Sequence, residues 1–99
     1  MNRVRLDLNH DEFQADLLAL EREDLLSVAS TLRKLRQMDW NSVYRDTGLK
    51  WEAIQRKGPR GERLYSLRVS RSTRAIAYRD GDLIVFLAVH SDHDSAYKK

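Results

Sequence analysis

Arg63-Leu64-Tyr65-Ser66-Leu67-Arg68-Val69, Thr73-Arg74-Ala75-Ile76-Ala77-Tyr78 and Leu83-Ile84-Val85-Phe86-Leu87-Ala88-Val89 follow one another with only short turns between them. Runs of this length, rich in β-branched and aromatic residues and bounded by Gly, Asp and Ser, read as strands. Together they predict a three-strand meander. In the first run Tyr65, Leu67 and Val69 alternate with Ser66, Arg68 and Ser70, so one side is apolar and the other polar. In the second, alternation groups Arg74 with Ile76 and Tyr78. Asp80-Gly81 before the third run is the signal of a tight hairpin with positive φ. The third run is apolar throughout, which predicts an interior strand covered on both faces.

Upstream of the meander, Trp51-Glu52-Ala53-Ile54-Gln55 is a further strand candidate, and Gly58-Pro59-Arg60-Gly61 is a loop on turn chemistry. Before these, Leu25, Val28, Ala29, Leu32, Leu35 and Met38 recur at helical period. Acids lie early in that segment and Arg33, Lys34 and Arg36 late, as the helix dipole favours. Asn9 with Glu12 three residues on has capping-box spacing ahead of an apolar stripe of Phe13, Leu17 and Leu20. These two segments predict a helical hairpin. Asp39 caps a short third helix with Trp40, Val43 and Tyr44 on its buried edge, and Gly48 stands where a left-handed C-terminal residue belongs. Arg3-Val4-Arg5-Leu6-Asp7-Leu8 alternates as an N-terminal strand. The expected fold is α+β: one domain over residues 1–99, with the N-terminal strand and helical hairpin packed on a mostly antiparallel sheet of about four strands.

Composition narrows the function. Apolar residues at 41% suffice for one core in 99 residues, and 33% charged residues imply a well-solvated surface. The absence of cysteine excludes disulfides, thiolate metal sites and thiol nucleophiles. The longest apolar run, Leu83–Val89, is far short of the roughly 20 residues that span a bilayer. The first residues lead into no signal-peptide hydrophobic region. The expectation is a cytoplasmic protein with no membrane partner. Charge is unevenly placed. Residues 1–55 carry eight Lys/Arg against ten Asp/Glu, and residues 56–99 carry ten against five. From Arg56 to Arg79 eight bases accompany a single acid, Glu62. Such a segment favours a polyanionic partner, nucleic acid first.

Arg68 shares a strand side with serines and Arg74 opens the next strand, so each presents a rigid guanidinium fork suited to a phosphate. Lys57, Arg60, Arg63 and Arg71 lie on or beside loops at the strand ends and are candidate contacts to such a polyanion. The C-terminal His90-Ser91-Asp92-His93-Asp94-Ser95-Ala96-Tyr97 admits several readings. His90, His93 and Asp94 are acceptable metal ligands, though the spacing alone is not diagnostic. Imidazole beside arginines also suits general acid–base work near neutral pH, with Tyr97 assisting. A polar tail with a packing tyrosine is the third reading. Neither a phosphate-cradling glycine loop nor a nucleophile elbow is present.

In order and length these elements resemble the RelE/ParE superfamily of bacterial toxin–antitoxin toxins. The words that carry the resemblance are Tyr65-Ser66-Leu67-Arg68-Val69, Arg74-Ala75-Ile76-Ala77-Tyr78, the apolar strand and His93-Asp94-Ser95-Ala96-Tyr97, with Gly48-Leu49-Lys50-Trp51-Glu52 as the lead-in to the sheet. The resemblance implies a type II toxin neutralised by a cognate antitoxin. In its RelE-like branch it implies an mRNA endoribonuclease acting in the ribosomal A site beside 16S rRNA. That reaction needs no metal or cofactor, and a ribose 2′-hydroxyl attacks the adjacent phosphate. By position, Arg74 matches the family's arginine that contacts the scissile phosphate, Arg68 the basic residue of the preceding strand, Tyr97 the C-terminal tyrosine that acts near the nucleophile, and His93 the acid or base. His90 joins the substrate contacts. Leu64 and Ser66 stand where the best-known members place lysines, and the tail arginine of that pattern has no counterpart, Ser91 being nearest. Two alternatives stay open: a ParE-like gyrase inhibitor, and a non-catalytic binding protein on the same fold.

Overall fold

The computed structural model describes residues 2–91. Along them run β1 (Arg5–Asp7), α1 (Asp11–Leu18), α2 (Arg22–Leu35), α3 (Trp40–Arg45), β2 (Glu52–Lys57), β3 (Arg63–Ser70), β4 (Thr73–Asp80) and β5 (Leu83–Ser91). The strands form one mixed sheet in the order β1-β5-β4-β3-β2. The β2–β5 strands are antiparallel, and β1 adds a parallel edge through Arg5↔Leu83 to Asp7↔Val85. The sheet thus has five strands where about four were expected. The addition is possible because α1, α2 and α3 supply a crossover long enough for a parallel pairing.

Local chemistry sets the helices. In α2, Glu23 and Asp24 occupy the first turn and Arg33 and Lys34 the last, in accord with the macrodipole. Val28 and Leu35 are buried while Leu25, Leu32 and Met38 are half-buried, and Ala29 faces solvent. The two helices of the hairpin dock on different strands, α1 on β5 and α2 on β3. Asp39 caps α3 by accepting the Ser42 N–H at 2.9 Å. That bond, more than any other influence, holds the Asp39 carboxyl below its ordinary value.

Three expectations at the helix ends are corrected. His10, not Asn9, occupies the cap of α1 and makes no side-chain cap bond. The Asn9 N–H is instead turned back onto Asp7 Oδ1 at 3.0 Å, which removes Asn9 from the capping position. After α3, Lys50 rather than Gly48 takes the left-handed conformation, with φ of 50°. Asp46 Oδ1 organises that turn by accepting the N–H groups of Gly48 and Leu49, each at 2.9 Å. Tyr44 lies outside the buried edge of α3, at 49% exposure. Its hydroxyl is engaged by Arg79 Nη1 at 2.7 Å, which holds the ring at the surface.

One core fills the space between the sheet and the helices. Phe13, Val28, Leu35 and Val43 meet Leu67, Val69, Ala75, Ala77, Ile84, Phe86 and Val89 there. The Phe13 and Phe86 rings lie 5.2 Å apart, tilted by 44°. The opposite side of the same strands bears a second, smaller cluster of Leu64, Ile76 and Ala88, flanked by Ile54, Tyr78 and Leu87. Among the described residues no helix residue enters it, and this side is called the open face. None of the described helices is long and apolar enough to cross a membrane.

Candidate functional site

The open face carries a row of nitrogen-bearing side chains across three adjacent strands. Arg68 of β3 pairs with Arg74 of β4, and Arg74 pairs with His90 of β5. All three are half-buried. Residues directly opposite in neighbouring strands bring their Cβ atoms to roughly 5 Å, so the three side chains leave the sheet side by side; Arg68, at the end of the row, also borders a hollow lined by Ser27, Thr31 and Lys34 of α2. Among the described residues the one ion pair is Lys34–Asp46; neither Arg68 nor Arg74 has a carboxylate at ion-pair distance. Two like charges held side by side without a counter-charge are unfavourable in the absence of an anion. The arrangement therefore suits a phosphate.

Two β-bulges decide which residues join this strip. On β5, Ile76 pairs with Ala88 and Ala77 with Phe86, leaving Leu87 as an extra residue. With unbroken alternation His90 would share the helix side of Ile84 and Phe86. The extra residue re-aims the strand's end, placing Ala88 and His90 with Arg74 on the open face. On β3 the register shifts between Arg68 and Ser70. This corrects the alternation expected for Ser70. Beyond the bulge it leaves the side of Ser66 and Arg68, becomes buried and hydrogen-bonds the Thr73 hydroxyl.

The end of β5 is also held from its outer edge. β1 pairs only with Leu83–Val85, and farther along Asp16 of α1 takes over. Asp16 Oδ2 accepts the Val89 N–H at 3.0 Å, next to His90. The backbone of Arg68 is anchored too, its N–H donating to the Leu49 carbonyl at 2.7 Å.

The other residues singled out in the sequence do not all converge on the row. Lys57 and Arg63 pair with each other at the far ends of β2 and β3. Arg60 lies in the Gly58–Glu62 loop, where its N–H donates to Glu62 Oε1 at 2.9 Å. Arg71 sits in the β3–β4 turn, beside a wide hollow that it shares with Glu21, the cap of α2, and with Glu23 and Asp24 in its first turn. The isolation of the basic segment from acids is thus a property of sequence, not of space. His93, Asp94 and Tyr97 lie outside the described residues. Trp40 and Trp51 pack edge to face at 5.3 Å, Trp51 stacks on Tyr65 at 4.8 Å, and the Arg79 guanidinium covers Trp40 at 4.4 Å. These rings form a packed cluster around α3, as expected for packing residues.

Two residues on or beside the open face went unselected in the sequence. Tyr78 shares the side of Arg74, and strand alternation alone places it there. His10 precedes α1 and reaches the hollows beside the Gly58–Glu62 loop; no local sequence pattern signals that long-range contact.

By sequence, the chain matches no protein-family model and no curated protein. By structure it is similar to the archaeal RelE–RelB complex from Pyrococcus horikoshii OT3. That match has a TM-score of 0.61 at 18% identity and covers 95% of this chain and 100% of that one. It is also similar to a copper-bound mutant toxin from Helicobacter pylori, with a TM-score of 0.49 at 20% identity over 89% of this chain and 93% of that one. The fold is therefore RelE-like: an α+β layer of helices on a mixed five-stranded sheet.

Proposed function

We propose that this chain is the toxin of a type II toxin–antitoxin pair and acts as an endoribonuclease on mRNA at the ribosome. The observation that carries the reading is the Arg68–Arg74–His90 row on the uncovered face. The RelE-like fold supports it, and the partner implied is a cognate antitoxin.

In this reading a ribose 2′-hydroxyl attacks the neighbouring phosphorus, the bond to the 5′ oxygen breaks, and a 2′,3′-cyclic phosphate remains. Negative charge builds on the non-bridging oxygens in the transition state. Fixed guanidinium donors stabilise that charge by about 3 kcal/mol per well-aimed group. Arg74, at the centre of the row, is assigned to the scissile phosphate, with Arg68 beside it. One group takes the 2′-hydroxyl proton and a second returns a proton to the leaving oxygen. His90 belongs to the row, and the resemblance adds His93 and Tyr97; histidine is the residue suited to both tasks near neutral pH. Lys57, Arg60, Arg63 and Arg71 are assigned to more distant phosphates of the strand.

The test is induction of Arg74→Ala in cells, with transcript 5′ ends mapped after a brief pulse. The expected result is loss of growth arrest and of new 5′ ends, at least a hundredfold, with thermal unfolding little changed. Full toxicity of the variant overturns the assignment. DNA-damage signalling without transcript cleavage on induction of the wild type would instead identify a gyrase inhibitor.

A further inference from the structure

We infer that the hollow under the Gly58–Glu62 loop is a nucleobase subsite for single-stranded RNA, next to the Arg68–Arg74–His90 row. The inference deepens the proposed RNA reading and rests on it for the identity of the ligand. Its geometry is independent of any catalytic assignment.

The hollow has a volume of about 310 Å³, with an apolar floor of Leu64, Leu87 and Ala88 and a rim that includes His10, Arg56 and Lys57. Small-molecule sites begin at roughly this size and combine apolar walls with a few polar groups. Glu12 is the single carboxylate on its edge, so the rim favours an anion-bearing ligand. A second hollow of about 240 Å³ adjoins it and shares His10, Pro59 and Leu87, with Tyr78 on its far wall. Leu87, the extra residue of the β5 bulge, thus lines both hollows.

The floor is continuous with the row. Ala88 is the register partner of Ile76, one step along the open face from the Arg74–His90 pair. A strand whose phosphate rests on Arg68 and Arg74 therefore meets an apolar recess farther along the same face, with Arg56 and Lys57 lining it for a more distant phosphate. Sequence-specific RNA recognition works in this way, by splaying single-stranded bases onto apolar and aromatic surfaces, histidine included. His10 is exposed and makes no cap bond to α1, so its ring is available to a ligand at no cost to the helix. The loop roof is closed by its own hydrogen bonds, Gly58 N–H to the Glu62 carbonyl at 2.9 Å and Gly61 N–H to the Gly58 carbonyl at 3.0 Å. The recess is consequently preformed.

The experiment uses the full chain, ¹⁵N-labelled. It is titrated with each ribonucleoside 5′-monophosphate, then with a 2′-O-methylated, non-cleavable oligoribonucleotide carrying one abasic position in turn. The expected result is amide shifts at Leu64, Leu87 and Ala88, and one abasic position that weakens oligonucleotide binding by about tenfold. His10→Ala, on the exposed rim, and Leu87→Asn, on the floor, are each expected to remove most of that abasic penalty. Shifts confined to Arg68, Arg74 and His90, with a uniform abasic profile, would overturn the subsite and leave the phosphate row standing. Binding in the hollow without any cleavage of unmodified RNA would support the subsite and count against the nuclease reading. Absence of both nucleotide and oligonucleotide binding would overturn the two together.

Discussion

The two faces of the sheet are built from the same four long and medium strands, yet they serve opposite ends. The helix-covered face holds Leu67, Val69, Ala75, Ala77, Ile84, Phe86 and Val89 in one continuous core. The open face has a smaller cluster of Leu64, Ile76 and Ala88, then a strip of Arg68, Arg74 and His90. Burial of apolar area stabilises the first, while the like charges of Arg68 and Arg74, with no carboxylate at ion-pair distance among the described residues, weaken the second. A strand that alternates cannot optimise one side without fixing what the other presents. Stability is concentrated on one face, and the opposite face is left able to hold charges that a folded chain alone would not favour.

The strongest way to break this contrast is to remove mass from the covered face. Phe86 is fully buried against Phe13. Phe86→Ala is expected to cost about 3–5 kcal/mol in urea unfolding, enough to unfold much of a domain of this size at 37 °C. If the loss is under about 1 kcal/mol, the stability of the molecule does not reside on that face.

A smaller effect is expected where both faces depend on one turn. Asp80 pairs with Leu83, so Gly81 and Asp82 alone make the β4–β5 connection, and Gly81 has φ of 61°. The hairpin signal in Asp80-Gly81 was legible, but the loop begins one residue later than the dipeptide suggests. A Cβ at Gly81 meets no neighbour, so the cost of Gly81→Ala is conformational, about 1–2 kcal/mol. Backbone resonances should show strain on both faces together, since this turn sets the register that puts Arg74 beside His90.

Much of the covered face could be read in advance because it follows period. Leu67 and Val69 alternate, Val28 and Leu35 recur at two helical turns, and each pattern reports which side is buried. The open face was legible in β3 and β4 for the same reason: Arg68 sits with Ser66, and Arg74 with Ile76 and Tyr78. The end of β5 was not. An unbroken apolar run carries no phase, and a bulge at Leu87 is a property of pairing with β4, invisible in one strand's sequence. Ser70 was misplaced by the other bulge in the same way. The parallel pairing of β1 depends on a partner almost eighty residues away, so a three-residue segment could only be read as a strand, not as the fifth of the sheet. His10 reaches the loop hollow by tertiary approach alone, which no local pattern encodes.

On the open face the contrast predicts a change of sign. Arg74 lies opposite Arg68 with no carboxylate at ion-pair distance among the described residues. Like charges directly across a ladder destabilise. Arg74→Gln should therefore leave stability unchanged or raise it by a few tenths of a kcal/mol, while activity is lost. Any gain should shrink between low and high salt as screening removes the repulsion. A clear loss of stability in urea unfolding would mean that the row has a structural role, and the division between the two faces would fail.

The smallest effect is expected at the margin where the two faces meet. Asp46 ties the turn after α3 to α2: Lys34 Nζ lies 2.9 Å from Oδ2, and the N–H groups of Gly48 and Leu49 donate to Oδ1. The Leu49 carbonyl in turn accepts the Arg68 N–H. The Lys34 hydrogen bond is the largest cause holding the Asp46 carboxyl below its ordinary value; partial burial opposes it, and the Leu49 N–H and the Lys34 charge add to it. A carboxyl lowered in the folded state contributes stability that is complete above the unfolded value, near 3.8, and is lost as pH falls through the lowered folded value. Lys34 is half-exposed, so solvent screening keeps the contribution small. Asp46→Asn keeps an acceptor for the turn but no charge for Lys34. Its stability deficit relative to the wild type should be constant from pH 5 to 8 and should narrow below pH 4. A deficit that does not narrow in acid would show that the turn is held by its backbone bonds alone. Hydrogen-exchange protection at Leu49, whose N–H donates to Asp46, should fall over the same acid range.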